Sequence, residues 1–494
     1  MSFHPVNLAV MVAYLLAMAG MGFWFMRRNR TSDAYFRAGG RLPWWVVSLS
    51  IYATMFSSIT FISVPAMSFS GDMRYFAISL GIILLAPVVV RWYLPFFRRL
   101  NLTSAYEYLE VRFNLPCRLF ASAAFTLFMV ARTGIVAYLP ALAVSAVTGI
   151  DINIAIVSVT LITIVYCTVG GVEAVIWSDF VQSVILIAST LLIVVWLICG
   201  TDGGVSGFFR MGMDAGKFRM FDFAFDWSKP CFWVVFVSGI VANLASYTSD
   251  QCVVQRYMTT PDEKGAGRSI ILNGVLSFVN CFMFFAMGVA LWTFYQSHPG
   301  ALAAGTKPDA VLPVFIAKQL PLGVSGLVFA AIAAATMSTL SSNLNSAASA
   351  ITTDFYERLV LRRRQAGGSA AERGKLLCGR VSTFAVGLLG GAFALVLANA
   401  DVGNIYDQFQ RFLGILTGGL GCLFFMGVFM KRIDGFAAMC GLVANYLVCF
   451  GLDLAPWSGK PHMLFYGFLG MVTCLAVSCL IGWLRPNLPR NCAR

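Results

Sequence analysis

An all-α bundle of membrane-crossing helices is the fold class that this sequence predicts, and three observations carry the prediction. The chain of 494 residues is 59% hydrophobic and only 12% charged, with a mean hydropathy of +0.78. Soluble domains are about 25% charged, so a water-soluble protein of this length would lack the polar surface to cover itself. The apolar residues fall into repeated runs of about 20, the length of α-helix that crosses a hydrocarbon core of roughly 30 Å. The basic residues collect on every second connection between those runs. Lipid is therefore the solvent for most of the chain, and 1–494 reads as a single transmembrane unit.

Thirteen spans are expected, near 5–26, 44–70, 75–96, 118–148, 153–171, 178–200, 231–251, 269–294, 312–351, 378–399, 408–430, 434–452 and 463–484. The first is longer than the apolar core of a signal peptide and lacks a basic lead and a small-residue cleavage site, so it reads as a retained helix. The ninth is long enough to include an irregular lead-in. One set of connections holds Arg27, Arg28 and Arg30; Arg98 and Arg99; Arg256, Lys264 and Arg268; Arg358, Arg362, Arg363 and Arg364; Lys431 and Arg432; and Arg485, Arg490 and Arg494. The opposite set is poorer, with Arg210, Lys217, Arg219 and Lys229 of 201–230 the main exception. Basic connections face the cytoplasm. The expectation is a multi-pass protein of the inner (cytoplasmic) membrane, N-terminus outside in the periplasm and C-terminus cytoplasmic.

The net charge of +13 reads as topology and contact with anionic lipid rather than nucleic acid, because the basic residues lie between apolar runs. The 13 cysteines are scattered, no C-x-x-C occurs and only three histidines exist, so neither a zinc site nor a disulfide framework is indicated. No phosphate-binding G-x-x-x-x-G-K-[ST] appears, and ATP is not the expected energy source. A membrane-embedded enzyme would need a nucleophile, base or metal constellation, and none is visible. A sensor would carry a signalling domain, and only about ten residues follow the last span.

Polar groups within spans are where membrane function concentrates. The second span carries Ser48, Ser50, Thr54, Ser57, Ser58, Thr60 and Ser63. The ninth carries Thr336, Ser338, Thr339, Ser341, Ser342, Asn343, Asn345 and Ser346. Such runs must face other helices or a wet cavity. Hydroxyl and carbonyl oxygens are the ligands that a small hard cation takes, and backbone carbonyls become available where a helix breaks at mid-membrane; hydrogen bonding between helices is the competing reading. Asp179, at the start of the sixth span, could complete a cation site or act as a helix N-terminal anion. Arg132 lies deep in the fourth span and needs an anionic partner, for which bidentate carboxylate pairing is the preferred chemistry. An internal Asp or Glu is one candidate; no nearby apolar run supplies an obvious one, and a substrate carboxylate is the other.

At these residues the chain resembles the sodium:solute symporter family. The resemblance runs through Thr103–Phe113, the Gly170-Gly171 to Gln182 run with Glu173, Trp177, Ser178 and Asp179, the Ser249–Tyr257 stretch, and Met337–Ser346. It implies a leucine-transporter-type fold of two inverted five-helix repeats, near 44–200 and 231–430, with extra helices at 5–26, 434–452 and 463–484. The first helix of each repeat should then be unwound at mid-bilayer. The second span has no Gly or Pro in its polar middle, and the seventh offers Gly239, Asn243, Ser246 and Tyr247. The resemblance further implies a sodium site on backbone oxygens of Ala53, Phe56 and Ala335 with the hydroxyls of Ser338 and Thr339. Asp179, Ser341 and Ser342, sharing Ser338, match a second sodium site found in some members.

The flavour is that of bacterial sodium/sialic acid symporters, because Arg132 sits in Arg-x-Gly-Ile-Val-x-Tyr-Leu. Ser57, Ser58, Thr60, Tyr75 and Ser79 match substrate-lining positions, with Ser79 standing where a glutamine is common. The expected function is sodium-coupled symport, with Na+ as the co-transported ion, of a carboxylated sugar such as N-acetylneuraminate; another sugar, a sugar acid, proline or a pantothenate-like organic acid are the alternatives. No catalytic residue is expected, and a monomer is the expectation.

Overall fold

The structure is a computed structural model, and it describes residues 4–26, 32–100, 103–362, 368–400, 405–456 and 459–485. Of the basic residues used for orientation, Arg27, Arg28, Arg30, Arg363, Arg364, Arg490 and Arg494 lie outside the described residues. Helices alone, joined by turns and loops, make up the described residues. In chain order the elements that matter here are α1 (Pro5–Met26), α2 (Trp44–Met55), α3 (Ser58–Ser70), α4 (Arg74–Arg99), α5 (Glu107–Arg112), α6 (Leu115–Thr148) and α7 (Ile152–Cys199). They continue with α8 (Phe232–Thr248), α9 (Gln251–Tyr257), α10 (Glu263–Ser297), α11 (Pro308–Gln319), α12 (Val324–Leu361), α13 (Gly368–Asn399), α14 (Ile405–Phe429), α15 (Gly435–Leu454) and α16 (Met463–Leu484).

Nine helices among the described residues are long and apolar enough to cross a membrane, and eleven if each bent pair counts as one span. The bent pairs are α2 with α3, at 59°, and α8 with α9, at 55°. Two shorter apolar helices, Pro5–Met18 and Ile152–Val165, accompany them. The fifth and sixth expected spans run together in α7 and part at Gly171, whose φ of 61° and ψ of −172° are open to glycine and strained for other residues. The expected lead-in to the ninth span is a separate short helix, α11.

The first break falls at Phe56 (φ −100°, ψ 97°) and Ser57 (φ −92°, ψ 173°). Both are extended conformations that any residue adopts, which is why the break needs neither Gly nor Pro. The second falls at Ser249 and Asp250, with φ of −116° and −80°, later than the Gly239–Tyr247 stretch that the sequence offered. Asp250 caps α9: its carboxylate accepts the Cys252 N–H at 2.8 Å, as an N-cap aspartate should.

Burial places α12 at the centre and α16 at the edge: 83% of the most apolar stretch of α12 is buried, against 33% for α16. The whole polar run Thr336–Ser346 is buried. Large apolar side chains such as Leu127, Leu447 and Trp483 point outward, as they do where lipid is the solvent. At one end of the bundle α5, α6 and α12 are tied by ions: Arg118 bonds Asp354 at 2.7 Å and Glu110 at 2.8 Å, and Arg358 bonds Glu110 at 2.5 Å. Burial pushes the Glu110 carboxyl up, but the two guanidiniums outweigh it and hold the group below the usual carboxylate range.

Gly239 has a packing role. It sits where α8 crosses the start of α4, and a Cβ there would lie 2.5 Å from the Ile78 carbonyl oxygen. Gly239→Val should therefore lower thermal stability by about 1–3 kcal/mol, the usual range for overpacking. Gly451→Ala, where a Cβ meets nothing within 4 Å, is the control. Melting of the purified protein in detergent checks this, and equal melting temperatures would show that the crossing has room to spare.

Candidate functional site

A helix that stops inside a membrane leaves its last carbonyls without helical partners, and no water is at hand to take them. At the end of α2 two of those carbonyls are taken by side chains from distant helices. Ser338, on α12, donates its hydroxyl to the Ala53 carbonyl at 3.0 Å. Arg132, on α6, donates from Nη2 to the Thr54 carbonyl at 2.9 Å.

Around Ser338 the oxygens converge. Its Oγ also lies 3.1 Å from the Ala335 carbonyl, which accepts the Thr339 hydroxyl at 3.1 Å. Phe56 follows as the residue that ends α2; its N–H bonds the Tyr52 carbonyl at 2.9 Å and its extended backbone takes its own carbonyl out of the helical ladder. Two hydroxyls and two carbonyls from α2 and α12 thus meet at one point, beside the break. These are hard, neutral oxygen ligands suited to a monovalent cation.

The next turn of α12 forms a second cluster. Ser341 and Ser342 both donate to the Ser338 carbonyl, at 3.0 and 2.6 Å. Ser342 Oγ lies 3.1 Å from Thr54 Oγ1. Asp179 Oδ2 accepts the Ser50 hydroxyl at 2.6 Å and Arg256 Nη2 at 2.9 Å, and the same Nη2 bonds Ser342 Oγ. Two sequence expectations change here. Asp179 is no helix N-terminal anion: the helix begins at Gly171, so the carboxylate lies about two turns inside it and is fully buried. Arg256 is no loop charge: the bent span continues past the second break as α9, and its guanidinium is fully buried.

Of the two partners open for Arg132, an internal carboxylate does reach it. Nη1 lies 3.4 Å from Asp250 Oδ2. The sequence placed Asp250 at the end of a span, whereas the break carries it to the interior. The contact is long and single, and Arg132 Nε has no hydrogen-bond partner among the described residues. Arg132 therefore bridges the two breaks, with Thr54 on one side and Asp250 on the other.

The remaining expected residues divide. Ser57 is buried at the start of α3 and makes no capping bond, leaving first-turn N–H groups of α3 directed at the break. Ser58 donates to the Val136 carbonyl at 3.3 Å, one turn along α6 from Arg132, and Thr60 is half-buried. Ser57, Ser58 and Arg132 are thus brought to one place. Ser79 is fully buried and donates back to the Phe76 carbonyl at 2.7 Å, and the half-buried Tyr75 ring faces His462 at 6.4 Å; both lie at the start of α4. Sequence reasoning missed Asp250, Arg256 and Ser50 as site residues. Ser249-Asp250 before a short helical run was the available signal.

The model of the "Sodium:solute symporter family" matches residues 35–444. The sodium/sialic acid symporter SiaT of Proteus mirabilis is 36% identical over 472 residues, covering 95% of this chain and 93% of that one. The sodium/sialic acid symporter NanT of Aliivibrio fischeri is 36% identical over 491 residues, covering 99% and 94%. A solved Na+-coupled sialic acid symporter, substrate-bound and outward-open with a novel Na+ site, is similar at a TM-score of 0.90 and 34% identity over 98% of each chain. Mhp1, a nucleobase-cation-symport-1 family transporter, shares the fold alone, at a TM-score of 0.57 and 15% identity over 93% of this chain and 96% of that one. These are leucine-transporter-type folds.

Arg132 and Asp250 can be separated by substitution. Arg132→Ala strips the guanidinium from both the Thr54 carbonyl and the Asp250 carboxylate, and removing one partner of a buried pair costs about 3–5 kcal/mol. Asp250→Asn keeps the cap on α9 and takes from Arg132 a counter-charge that is partly exposed and 3.4 Å away, so it should cost less, about 1–3 kcal/mol. Melting temperatures of the two purified variants check the order; a larger loss in Asp250→Asn would show that the ion pair, not the carbonyl bond, holds the breaks together.

Proposed function

The chain belongs to the sodium:solute symporter family, and from that premise we propose that its solute is a carboxylated sugar of the sialic acid class, such as N-acetylneuraminate, imported by alternating access. Sodium is the co-transported ion, and the family's work is transport rather than catalysis. SiaT, NanT and the solved symporter at 34% identity are sialic acid symporters.

The observation that carries the proposal is the half-used guanidinium of Arg132. Its Nη2 is fixed on Thr54, while Nη1 holds only a 3.4 Å contact and Nε holds none. Nε and Nη2 form one edge of the fork and Nη1 and Nη2 the other; Nη2 carries two hydrogens and Thr54 takes one, so a planar carboxylate can bond the edge that the other hydrogen faces, with two parallel bonds. The uncapped start of α3 adds N–H groups and the positive end of a helix dipole on the same side. Ser57, Ser58 and Thr60 would then meet the sugar's hydroxyls, with Tyr75 and Ser79 further along. Ala53, Phe56, Ala335, Ser338 and Thr339 would hold one sodium ion, and Asp179, Ser338, Ser341 and Ser342 a second. The repeats are 44–200 and 231–430, each opening on a bent pair. The N-terminus lies outside and the C-terminus in the cytoplasm of an inner-membrane protein.

The Asp250 contact favours a second reading, in which Arg132 is a structural bridge and the solute is neutral. Uptake into proteoliposomes decides between them. A panel of sialic acids, uronic acids, neutral sugars, proline and pantothenate is offered with an inward sodium gradient. Sialic acid uptake is expected, requiring sodium and lost in Arg132→Ala and in the Ser338→Ala, Thr339→Ala double variant. With two sodium ions and one monoanion, one net positive charge enters, worth about 2.3 kcal/mol per 100 mV, so a negative-inside potential should accelerate it. Saturable uptake of a neutral solute that survives in Arg132→Ala overturns the sialic acid reading in favour of the second.

A further inference from the structure

We propose that Arg256 is a built-in counter-ion that sodium displaces: guanidinium and cation hold Asp179 and Ser342 in turn, never together. The inference rests on the second sodium site proposed above and assigns the residue that controls it.

Both members of the pair are fully buried. Arg256 Nε bonds Ser50 Oγ at 2.8 Å, Nη1 the Cys252 carbonyl at 2.6 Å, and Nη2 both Asp179 Oδ2 at 2.9 Å and Ser342 Oγ. Two of these four partners, Asp179 and Ser342, are proposed ligands of the second sodium ion. Ser342 spends its hydrogen on the Ser338 carbonyl and a lone pair on the guanidinium. A cation within reach of Asp179 and Ser342 would therefore sit beside a second positive charge, in an interior that screens poorly. Exchange resolves this and addition does not.

A buried carboxylate with no counter-charge is strongly disfavoured, so a carrier that releases sodium from Asp179 needs a substitute. Arg256 supplies it from within the chain. Unpartnered polar atoms also lie beside the pair. Asp179 Oδ1 has no hydrogen-bond partner among the described residues. The Tyr14 hydroxyl and the Gln182 amide face each other next to Asp179, are buried, and likewise lack normal hydrogen-bond partners there. A cation could approach the free oxygen from this side while the guanidinium still holds the other.

The exchange reaches the substrate through α9. Arg256 lies near one end of that short helix, and Asp250, which touches Arg132, caps the other. Releasing Arg256 frees α9 at one end and alters the Asp250 contact at the other. Sodium at Asp179 and a carboxylate at Arg132 would then favour the same position of α9, which is the meaning of positive coupling between two sites.

The test is a sodium titration of the purified full-length protein, read by tryptophan fluorescence and melting temperature, with choline replacing sodium. Arg256→Gln should bind sodium roughly tenfold tighter or more, since each tenfold is about 1.4 kcal/mol of removed competition. Arg256→Lys keeps the competing charge and should stay near wild type. If Arg256→Gln, prepared in sodium, unfolds in choline while the Asp179→Asn, Arg256→Gln double variant does not, the counter-ion role is equally supported. Unchanged or weaker sodium binding in Arg256→Gln, with a lowered sodium Hill coefficient in Asp179→Asn, leaves the second site standing and overturns displacement. Unfolding of the single and double variants alike in either salt also overturns it, making Arg256 a packing element. No change in the Hill coefficient in Asp179→Asn removes the second site itself, and displacement with it.

Discussion

Backbone polar groups in a medium without water must find partners within the protein, and that constraint organises this structure. Each break in a membrane helix exposes carbonyls and N–H groups that the helix would have satisfied. The fold answers with side chains from elsewhere: Ser338 on the Ala53 carbonyl, Arg132 on the Thr54 carbonyl, Asp250 on the Cys252 N–H. Two of these groups, Ser338 and Arg132, are also proposed to bind cargo. Stability and transport therefore draw on one set of atoms, and substitutions at the site cannot be read for function without a folding control.

The buried charges follow a second form of the same rule. Arg132 meets Asp250, Arg256 meets Asp179, and Arg118 meets Asp354. Two unit charges about 4 Å apart interact by roughly 4 kcal/mol at an effective dielectric constant of 20. That exceeds the roughly 2.3 kcal/mol that 100 mV supplies per charge moved. Local pairing rather than membrane potential thus governs which partner each buried ion takes, while the potential drives the net cycle. The first two pairs share α9, whose two ends carry Asp250 and Arg256. A short rigid helix with a buried charge contact at each end is a simple means of making one site sense the other.

Hydropathy exposed most of the bundle, because a run of about 20 apolar residues has few other fates. The polar run on α12 was visible for the converse reason: eight polar residues between 336 and 346 cannot face lipid. The breaks were hidden. Phe56 and Ser57 adopt extended dihedrals that no residue type signals, so the resemblance, not the composition, pointed to them. Gly239 drew notice for the wrong reason, since its missing side chain serves a crossing with α4. Arg256 was counted with Lys264 and Arg268 as an aqueous charge because sequence cannot show that the bent span continues through α9. Asp179 was misplaced by one helix end for the same reason: Gly171, not Ser178, starts the span. The carbonyl ligands Ala53, Phe56 and Ala335 leave no mark in a sequence at all, because every residue has a carbonyl.

The central claim is that the broken helices bind cation and carboxylate as one linked unit. Calorimetric titration of N-acetylneuraminate into the purified protein, in sodium and then in choline at equal ionic strength, tests it most directly. Binding in sodium with none detectable in choline, and a reciprocal tightening of sodium binding by the sugar acid, is the predicted result. Equal affinity in the two salts, or no binding of the sugar acid in either, would contradict it.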